Sequence, residues 1–480
     1  MTSSFSNYQL SSELLKAISM LNYNSPTRVQ QEVIPAVLEK KDIIVKSQTG
    51  SGKTASFAIP ICELVDWEEN KPQALVIVPT RELAIQVKED IFNIGRFKRV
   101  KVPAIYGKAP FYMQEKELKQ KSHVVVGTPG RIIDHIGRGT FDTSKIKYLV
   151  IDEADEMLTM GFIEDLKIII SSIPIDRVTM LLSATMPKDI ETLCEQYMKN
   201  PIHVEIEEEN SSLDRIYQAG YIIEEREKID LLKDVTIIEN PDSCIIFCNT
   251  RQIVDEVYDE LTNLKYNCQK IHGGMEQPDR LRIMKNFKQG YFRYLIATDV
   301  AARGLDIDNI SLIINYDISQ DSESYVHRIG RTGRISREGR AITFVTKDES
   351  KFLEDIQRYI GKEILLKERP EKETVDKFKQ AFNKKMNTRP KIKEEKGAPL
   401  RKEIMKLHIN AGKKTKMRPV DIVGTLCNIE GMTAEDIGII NILDISTFVE
   451  ILNGKGEFVF QKLQNMNIKG RPRKVSKAER

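Results

Sequence analysis

Asp152-Glu153-Ala154-Asp155 directly follows the apolar run Tyr148-Leu149-Val150-Ile151, so two carboxylates emerge side by side from the end of a buried strand. Core packing cannot shield such groups, and they need a metal or a reacting water as partner. Alone the string is weak, because acidic residues after a strand often only cap the next helix. An upstream loop narrows that ambiguity. Ser47-Gln48-Thr49-Gly50-Ser51-Gly52-Lys53-Thr54 follows the strand-like Ile43-Ile44-Val45 and precedes a helical stretch from about Ala55 to Leu64. Glycines there let successive backbone N–H groups wrap a phosphate, Lys53 reaches the outer phosphates, and the Thr54 hydroxyl binds Mg2+. Ser47 stands where the general pattern has glycine. With the loop accepted, Asp152 is the expected metal carboxylate and Glu153 the group that orients or deprotonates the attacking water. Binding and hydrolysis of ATP are both expected.

Positioning these groups requires a scaffold. Short apolar β-type runs alternate with helical stretches from Ile43 to about Pro201: Ala74 to Val78, Val124 to Val126, Tyr148 to Ile151 and Met180 to Leu182. Continuous apolar strands separated by helices predict an α/β fold with a parallel sheet covered on both faces. After the acidic, polar stretch Glu205 to Ser212 the rhythm restarts at Cys244 to Cys248, Tyr294 to Ala297, Leu312 to Tyr316 and Ala341 to Val345, which predicts a second α/β domain. Polar motifs lie just after these runs, where open α/β sheets bind ligands. Residues from about Glu368 to Leu400, rich in Lys, Glu, Pro and Asn, read as a helical extension grading into a flexible linker. Beyond it the order is strand Glu403 to Ile409, helix Pro419 to Cys427, strands Ile437 to Ile442 and Thr447 to Leu452, helix Glu457 to Leu463, and a last strand within Asn467 to Lys474. That β-α-β-β-α-β order describes a small RNA-recognition module, and equally many unrelated ferredoxin-like domains.

The 480 residues suffice for two to four domains, and 41% apolar with 30% charged residues is an ordinary globular composition. No apolar run approaches the roughly 18 residues of a membrane span, and the amino terminus lacks the basic-then-apolar pattern of a secretory signal. The six cysteines are scattered and read as reduced core thiols, so a cytoplasmic protein is expected. The net charge of +3 is unevenly spread. From Pro370 to Arg480 there are 24 Lys and Arg against 14 Asp and Glu, whereas the rest of the chain carries 49 against 56. A basic carboxy-terminal region fits either a solvated tail or an electrostatic footprint for nucleic acid.

Together the motifs resemble those of the DEAD-box RNA helicases over roughly the first 365 residues. The resemblance implies two RecA-like domains in tandem, at residues 1–207 and 213–366, with a charged linker at 367–400 and an atypical RRM-like domain with a basic tail at 401–480. Pro26-Thr27-Arg28-Val29-Gln30 is similar to the family's adenine-reading segment, where a Gln amide both donates and accepts; Gln30 would select ATP, and Tyr23 either stacks on the base or only packs the first helix. Ser183-Ala184-Thr185 resembles the family's link between nucleotide site and strand separation, a coupling role that extends to His327. In His327-Arg328-Ile329-Gly330-Arg331-Thr332-Gly333-Arg334, the resemblance implies that Arg331 and Arg334 stabilise charge on the transferred phosphoryl group, while Asp306 contacts the ribose. Hydrolysis would then need domain closure. RNA contacts are implied at Pro79, Thr80, Arg81, Gly107, Lys108, Thr128, Arg131, Thr250, Arg251, Gln277, Arg280 and Thr298; hydroxyls, helix amino termini and guanidinium groups hold sugar and phosphate without reading bases. Lys108 departs from the pattern, since the family usually has two glycines there.

The stretch Ile404 to Arg418, with Val449-Glu450-Ile451-Leu452-Asn453-Gly454-Lys455-Gly456, resembles the carboxy-terminal module of the bacterial DbpA helicases. In that family the module anchors the enzyme to a hairpin of 23S ribosomal RNA, implying a monomer that acts on pre-50S particles during large-subunit assembly. His408 and Phe448 are nearly the only aromatic residues on the central strands, so recognition is expected on Lys413, Lys414, Lys416 and Arg418 and the basic tail rather than by stacking. The competing reading is an RNA clamp or chaperone whose ATPase only times release. A DNA translocase is disfavoured by the Gln30 segment and the third module.

Overall fold

The computed structural model describes residues 4–47, 50–206, 212–299, 310–333, 339–388, 390, 392 and 397–478. The chain forms two compact units, one made of Met1–Ile206 with Glu395–Arg480 and the other of Glu207–Glu394.

The first unit is built on a seven-stranded sheet in the order Ala104–Ile105, Val124–Gly127, Ala74–Ile77, Tyr148–Asp152, Val178–Ser183, Ile43–Lys46, Ile202–Glu205. Every pairing in it is parallel. Successive side chains of a strand point to opposite faces, so an all-apolar strand fills two cores at once. Val76, Val150, Met180 and Leu182 join one buried cluster, and Leu75, Leu149, Ile151 and Leu181 the other. Lys46 pairs with Ser183 and Asp152 with Leu182. The ends of strands Ile43–Lys46 and Tyr148–Asp152 therefore flank the same central strand, and that register brings the phosphate loop and the acidic tetrapeptide together.

The expected runs at Ala74, Val124, Tyr148 and Met180 are strands, with ends displaced by one or two residues. The runs Ala104–Ile105 and Ile202–Glu205 escape a hydropathy reading because one is only two residues long and the other carries exposed His203 and Glu205 at the sheet edge.

The second unit repeats the architecture in the order Cys268–Ile271, Tyr294–Ala297, Cys244–Phe247, Leu312–Asn315, Gly339–Val345, Ile216–Ile222, Leu365–Lys367, again with parallel pairing throughout. Helix Lys372–Met386 follows it. Phe382 of that helix is buried against Tyr266 in one of the unit's two apolar clusters. Arg293 donates to the carbonyls of Lys385 and Thr388, which end the helix, and Lys385 Nζ donates to Asn240 O.

The carboxy-terminal module is a four-stranded antiparallel sheet in the order Ile437–Ile442, Thr447–Ile451, Met405–Ile409, Val475–Lys477. Helices Pro419–Cys427 and Gly456–Gln464 complete the β-α-β-β-α-β arrangement around a core that includes Leu407, Ile422, Val449 and Leu463. The last strand differs from the expected Asn467 to Lys474. Lys469 and Gly470 both have positive φ, at 56° and 72°, and reverse the chain. Asn467–Ile468 consequently pairs with Arg471–Pro472 as a small hairpin, and the strand that joins the main sheet starts at Val475.

The module lies on the parallel-sheet domain within the same unit. Leu400, Ile404 and Leu452 enter that domain's apolar cluster. Arg96 pairs with Glu450 at 3.0 Å, while Arg99 donates to the carbonyls of Ala434 and Ile437 and Lys101 to that of Ile440.

Burial of Phe382 makes helix Lys372–Met386 part of the second unit's core. Phe382→Ala is expected to lower the stability of that unit by about 3–5 kcal/mol in denaturant unfolding; an unchanged midpoint would show that the helix is dispensable.

Candidate ATP and RNA site

The phosphate loop starts where strand Ile43–Lys46 ends. Gly50 and Gly52 have φ of 86° and 93°, a left-handed backbone that side chains rarely adopt. At Gly52 a Cβ would also lie 2.6 Å from the Gln30 amide nitrogen, so any side chain there would displace that amide. Lys53 opens helix Lys53–Leu64 and is buried, with Nζ donating to Ser47 O at 2.7 Å. Ser47 and Ser51 hydroxyls are 3.2 Å apart, and Thr54 lies in the first turn of the helix. Gln48 and Thr49 lie outside the described residues.

Thr27 and Gln30 form a capping box on helix Arg28–Leu38. Gln30 Oε1 accepts from Thr27 N at 3.0 Å, and its Nε2 donates to Gly52 O at 3.2 Å. The amide expected to read adenine is thus hydrogen-bonded to the phosphate loop itself. Tyr23 is half-buried against the adjacent core.

Asp152 ends its strand almost fully buried. Burial raises its pKa, partly offset by the Lys53 ammonium and by the Glu153 N–H that donates to Oδ1. Glu153 follows with φ of 55°, which turns the chain sharply from strand into helix Ala154–Thr159. Asp155 is the junction of the site. Its Oδ2 accepts from Ala184 N at 3.0 Å, Thr185 N at 2.8 Å and Thr185 Oγ1 at 3.2 Å, and its N–H donates to Ser183 Oγ. Ser47 N in turn donates to Ser183 O. The phosphate loop, the acidic tetrapeptide and Ser183-Ala184-Thr185 therefore form one hydrogen-bonded cluster. The sequence flagged Asp155 as a member of the tetrapeptide, but only the register shows what it holds.

On the same unit, Thr80 caps helix Arg81–Ile94 by accepting from Leu83 N, and Pro79 is buried beside it. The Arg81 guanidinium lies against Gly107, where a Cβ would come 3.2 Å from its Nη2. Lys108 has φ of 59°, a conformation that favours glycine and so accounts physically for the usual residue at this place. Thr128 and Pro129 start helix Pro129–Gly137, with Arg131 in its first turn.

In the second unit Thr250 caps helix Arg251–Asn263, and the exposed Arg251 reaches over Gly273 and Gly274. Gln277 and Arg280 are buried in the first turn of helix Gln277–Gln289, and Thr298 is buried at a strand end. Arg328 is the hub here, at 2% exposure. It makes a bidentate pair with Asp299 at 2.5 and 2.6 Å and donates to Asn249 Oδ1 and Asp317 O. Asp317 also accepts from Asn249 N and Lys228 Nζ. Three separate strand ends are thereby tied together beside His327 and the buried Arg331. Asp317 carried no local signal in the sequence, since a single Asp after a strand is commonplace. Asp306 and Arg334 lie outside the described residues.

In the carboxy-terminal module, Lys413 and Lys414 donate their backbone N–H groups to Leu443 O and Asp444 O, which fixes the loop while their side chains stay exposed. Lys416 is exposed with φ of 55°. Arg418 is exposed but engaged with Asp421, which Lys469 also contacts at 2.9 Å. His408 and Phe448 rings pack at 5.0 Å with Lys406 over Phe448, so the sheet face carries one small aromatic pair.

Residues 27–193 match the family described as DEAD/DEAH box helicase, 227–336 the helicase conserved C-terminal domain, and 406–477 the DbpA RNA binding domain. The chain is 57% identical over 478 residues, all of both chains, to the ATP-dependent RNA helicase DbpA of Bacillus subtilis. It is 45% identical over 358 residues to the DEAD-box ATP-dependent RNA helicase CshA of Bacillus licheniformis, covering 75% of this chain and 74% of that one. Among solved structures, Saccharomyces cerevisiae Dbp5 bound to RNA and ADP BeF3 is similar at 31% identity with a TM-score of 0.71, over 80% of this chain and 100% of that one. A relative this similar along its whole length, with all three domain families present in order, establishes that the chain belongs to the DEAD-box ATP-dependent RNA helicases and carries a DbpA RNA-binding domain.

Proposed function

We propose that this helicase couples RNA-stimulated ATP hydrolysis to local opening of RNA duplexes, and that its carboxy-terminal module addresses it to 23S ribosomal RNA in pre-50S particles. The observation that carries the first part is the hydrogen-bonded cluster of Ser47, Ser183, Asp155 and Thr185. It makes the phosphate loop mechanically continuous with the segment that the family uses to link nucleotide to strand separation. Lys53, and with it Gly50, Ser51 and Gly52, holds the phosphates; Glu153 orients or deprotonates the attacking water; Arg331 and Arg334 neutralise charge that develops on the transferred group. Gln30 exchanges its bond to Gly52 O for the adenine edge. Thr54 and Asp152 are hard oxygen donors that would hold Mg2+, and burial of the Asp152 carboxylate favours a cation beside it. When bound, that ion supplies charge neutralisation at the phosphates.

RNA is gripped through Thr80, Arg81, Gly107, Lys108, Thr128 and Arg131 on the first domain and through Thr250, Arg251, Gln277, Arg280 and Thr298 on the second. These groups suit sugar and phosphate, giving a sequence-tolerant hold. Supporting this is the similarity to Dbp5, a structure that contains RNA and a nucleotide together. The address rests on the match to the DbpA RNA binding domain and on the exposed Lys413, Lys414 and Lys416. We assign residues 1–207 and 213–366 to the two helicase domains, 367–400 to the connection and 401–480 to the RNA-binding module, in a cytoplasmic monomer.

Asp152 and Glu153 separate experimentally. A buried acid with a raised folded pKa destabilises the fold when ionised, and this cost grows as pH rises from the unfolded pKa through the folded one. Asp152→Asn is therefore expected to raise the thermal midpoint of the ligand-free protein at pH 7 while abolishing turnover; a lowered midpoint contradicts the assignment. Glu153→Gln should retain ATP and RNA binding and lose at least about 100-fold in kcat, and substantial residual hydrolysis removes Glu153 from its role. ATPase rates without nucleic acid, with generic RNA and with fragments of large-subunit ribosomal RNA test the address. Equal stimulation by all RNAs sinks it, whereas loss of the fragment preference on deleting residues 401–480 supports it.

A further inference from the structure

Helix Phe111–Leu118 bears a side chain that the helicase motifs leave unassigned. Gln114 is 4% exposed, and its amide is fully oriented by its neighbours. Nε2 donates to Tyr106 O at 2.9 Å, while Oε1 accepts from Arg131 Nη1 at 2.9 Å and faces His135 Nε2 at 3.2 Å. A carbonyl oxygen only accepts, so the His135 proton sits on Nε2, and the Thr140 hydroxyl, 2.8 Å from Nδ1, donates to the His135 carbonyl at 3.1 Å. His135 is buried, stacked on Phe111 with ring centroids 4.0 Å apart, and burial together with the Arg131 charge lowers its pKa to about 4. It is neutral at physiological pH, and it adds no second cation to compete with Arg131 for the amide.

Arg131 has a second anchor at Ala109 O, 3.1 Å from Nη1, and its Nε faces Asp134 at 3.6 Å. Nη2 has no hydrogen bond among the described residues. Gln114 and Arg131 between them hold Tyr106 O and Ala109 O, the two carbonyls that bracket Gly107 and Lys108. One buried amide thus fixes both the Gly107-Lys108 loop and the guanidinium plane of Arg131.

We propose that Gln114 is a positioning residue for RNA, which sets Arg131 and the Gly107-Lys108 loop in one phosphate-binding geometry before RNA arrives. The inference rests on the RNA-contact reading of Arg131 above. A planar, pre-oriented guanidinium binds phosphate with little ordering cost, and an unanchored one must be ordered on binding. Gln114 therefore acts on RNA affinity rather than on the chemical step.

The test uses the full chain and a generic single-stranded RNA, reading the RNA KM of the stimulated ATPase alongside kcat and the thermal midpoint. Gln114→Met keeps the shape and removes both polar ends; it is expected to raise the RNA KM about tenfold, as for one lost charge-assisted hydrogen bond, with kcat at saturating RNA changed less than about threefold. Arg131→Ala should raise the RNA KM by at least as much, and the double variant no further than Arg131→Ala alone. Gln114→Glu, which retains an acceptor for Arg131 but loses the donor to Tyr106 O, should give an RNA KM between those of the parent and Gln114→Met. If Arg131→Ala raises KM while Gln114→Met does not, or the two effects multiply in the double variant, positioning by Gln114 is overturned and the Arg131 reading survives. If Arg131→Ala leaves KM unchanged, both fall. A Gln114→Met midpoint far below the parent, with Gln114→Glu no better in KM, overturns the inference in favour of a purely structural amide.

Discussion

Everything in the nucleotide site depends on how the Asp155 carboxylate is satisfied. A buried carboxylate is tolerable only when hydrogen bonds replace its lost water. Here the donors are Ala184 N, Thr185 N, Thr185 Oγ1 and Glu156 N. Because all of these but Glu156 N belong to a neighbouring strand end, Asp155 is fully satisfied only when the tetrapeptide and Ser183-Ala184-Thr185 are in register. Displacing either strips the buried carboxylate of most of its donors, so the two segments are obliged to move together. The same logic governs the second unit, where Arg328 is held by Asp299, Asn249 and Asp317 and three strand ends are fixed by one guanidinium.

The two hubs differ in sign and in what they present. Around Asp155 the charge is negative and absorbed by backbone N–H groups, so the neighbouring Asp152 is left facing Lys53 in a desolvated corner. Around Arg328 the charge is positive and absorbed by carboxylate and carbonyl oxygens. Charge that is internally neutralised in this way fixes geometry without contributing field to a ligand.

Much of this was legible in the chain itself. Continuous apolar runs such as Leu75-Val76-Ile77 and Leu149-Val150-Ile151 can be nothing but doubly buried strands once helices separate them, and the polar motifs follow directly at their ends. Glycine at 50 and 52 was readable as a loop whose backbone N–H groups wrap phosphate, and both take the left-handed backbone that such a turn uses. What stayed hidden depends on partners far away in sequence. The Gln114–Arg131–His135 cluster has no spacing pattern, the Asp317 carboxylate acquires meaning only beside Lys228 and Arg328, and strand Val475–Lys477 was displaced by a turn whose positive φ at Lys469 no propensity would assign. Helix Lys372–Met386 read as a helical extension because its surface is so polar; only Val375 and Phe382 of its side chains are buried, and the polar bonds of Lys385 and Arg293 that also hold it have no signature in the sequence.

The placement of Arg99 and Lys101 has a consequence for solubility. Strand Ile437–Ile442 is the outermost of its sheet, with a ladder of carbonyls on its free side, and an open strand of this kind is a template for adding a foreign strand. Arg99 occupies the carbonyls of Ala434 and Ile437, and Lys101 that of Ile440. Cations from the helicase domain thus act as gatekeepers for the module's edge, filling positions that a second molecule would otherwise use to extend the sheet. Detached from that domain, the module would carry its sticky side uncovered.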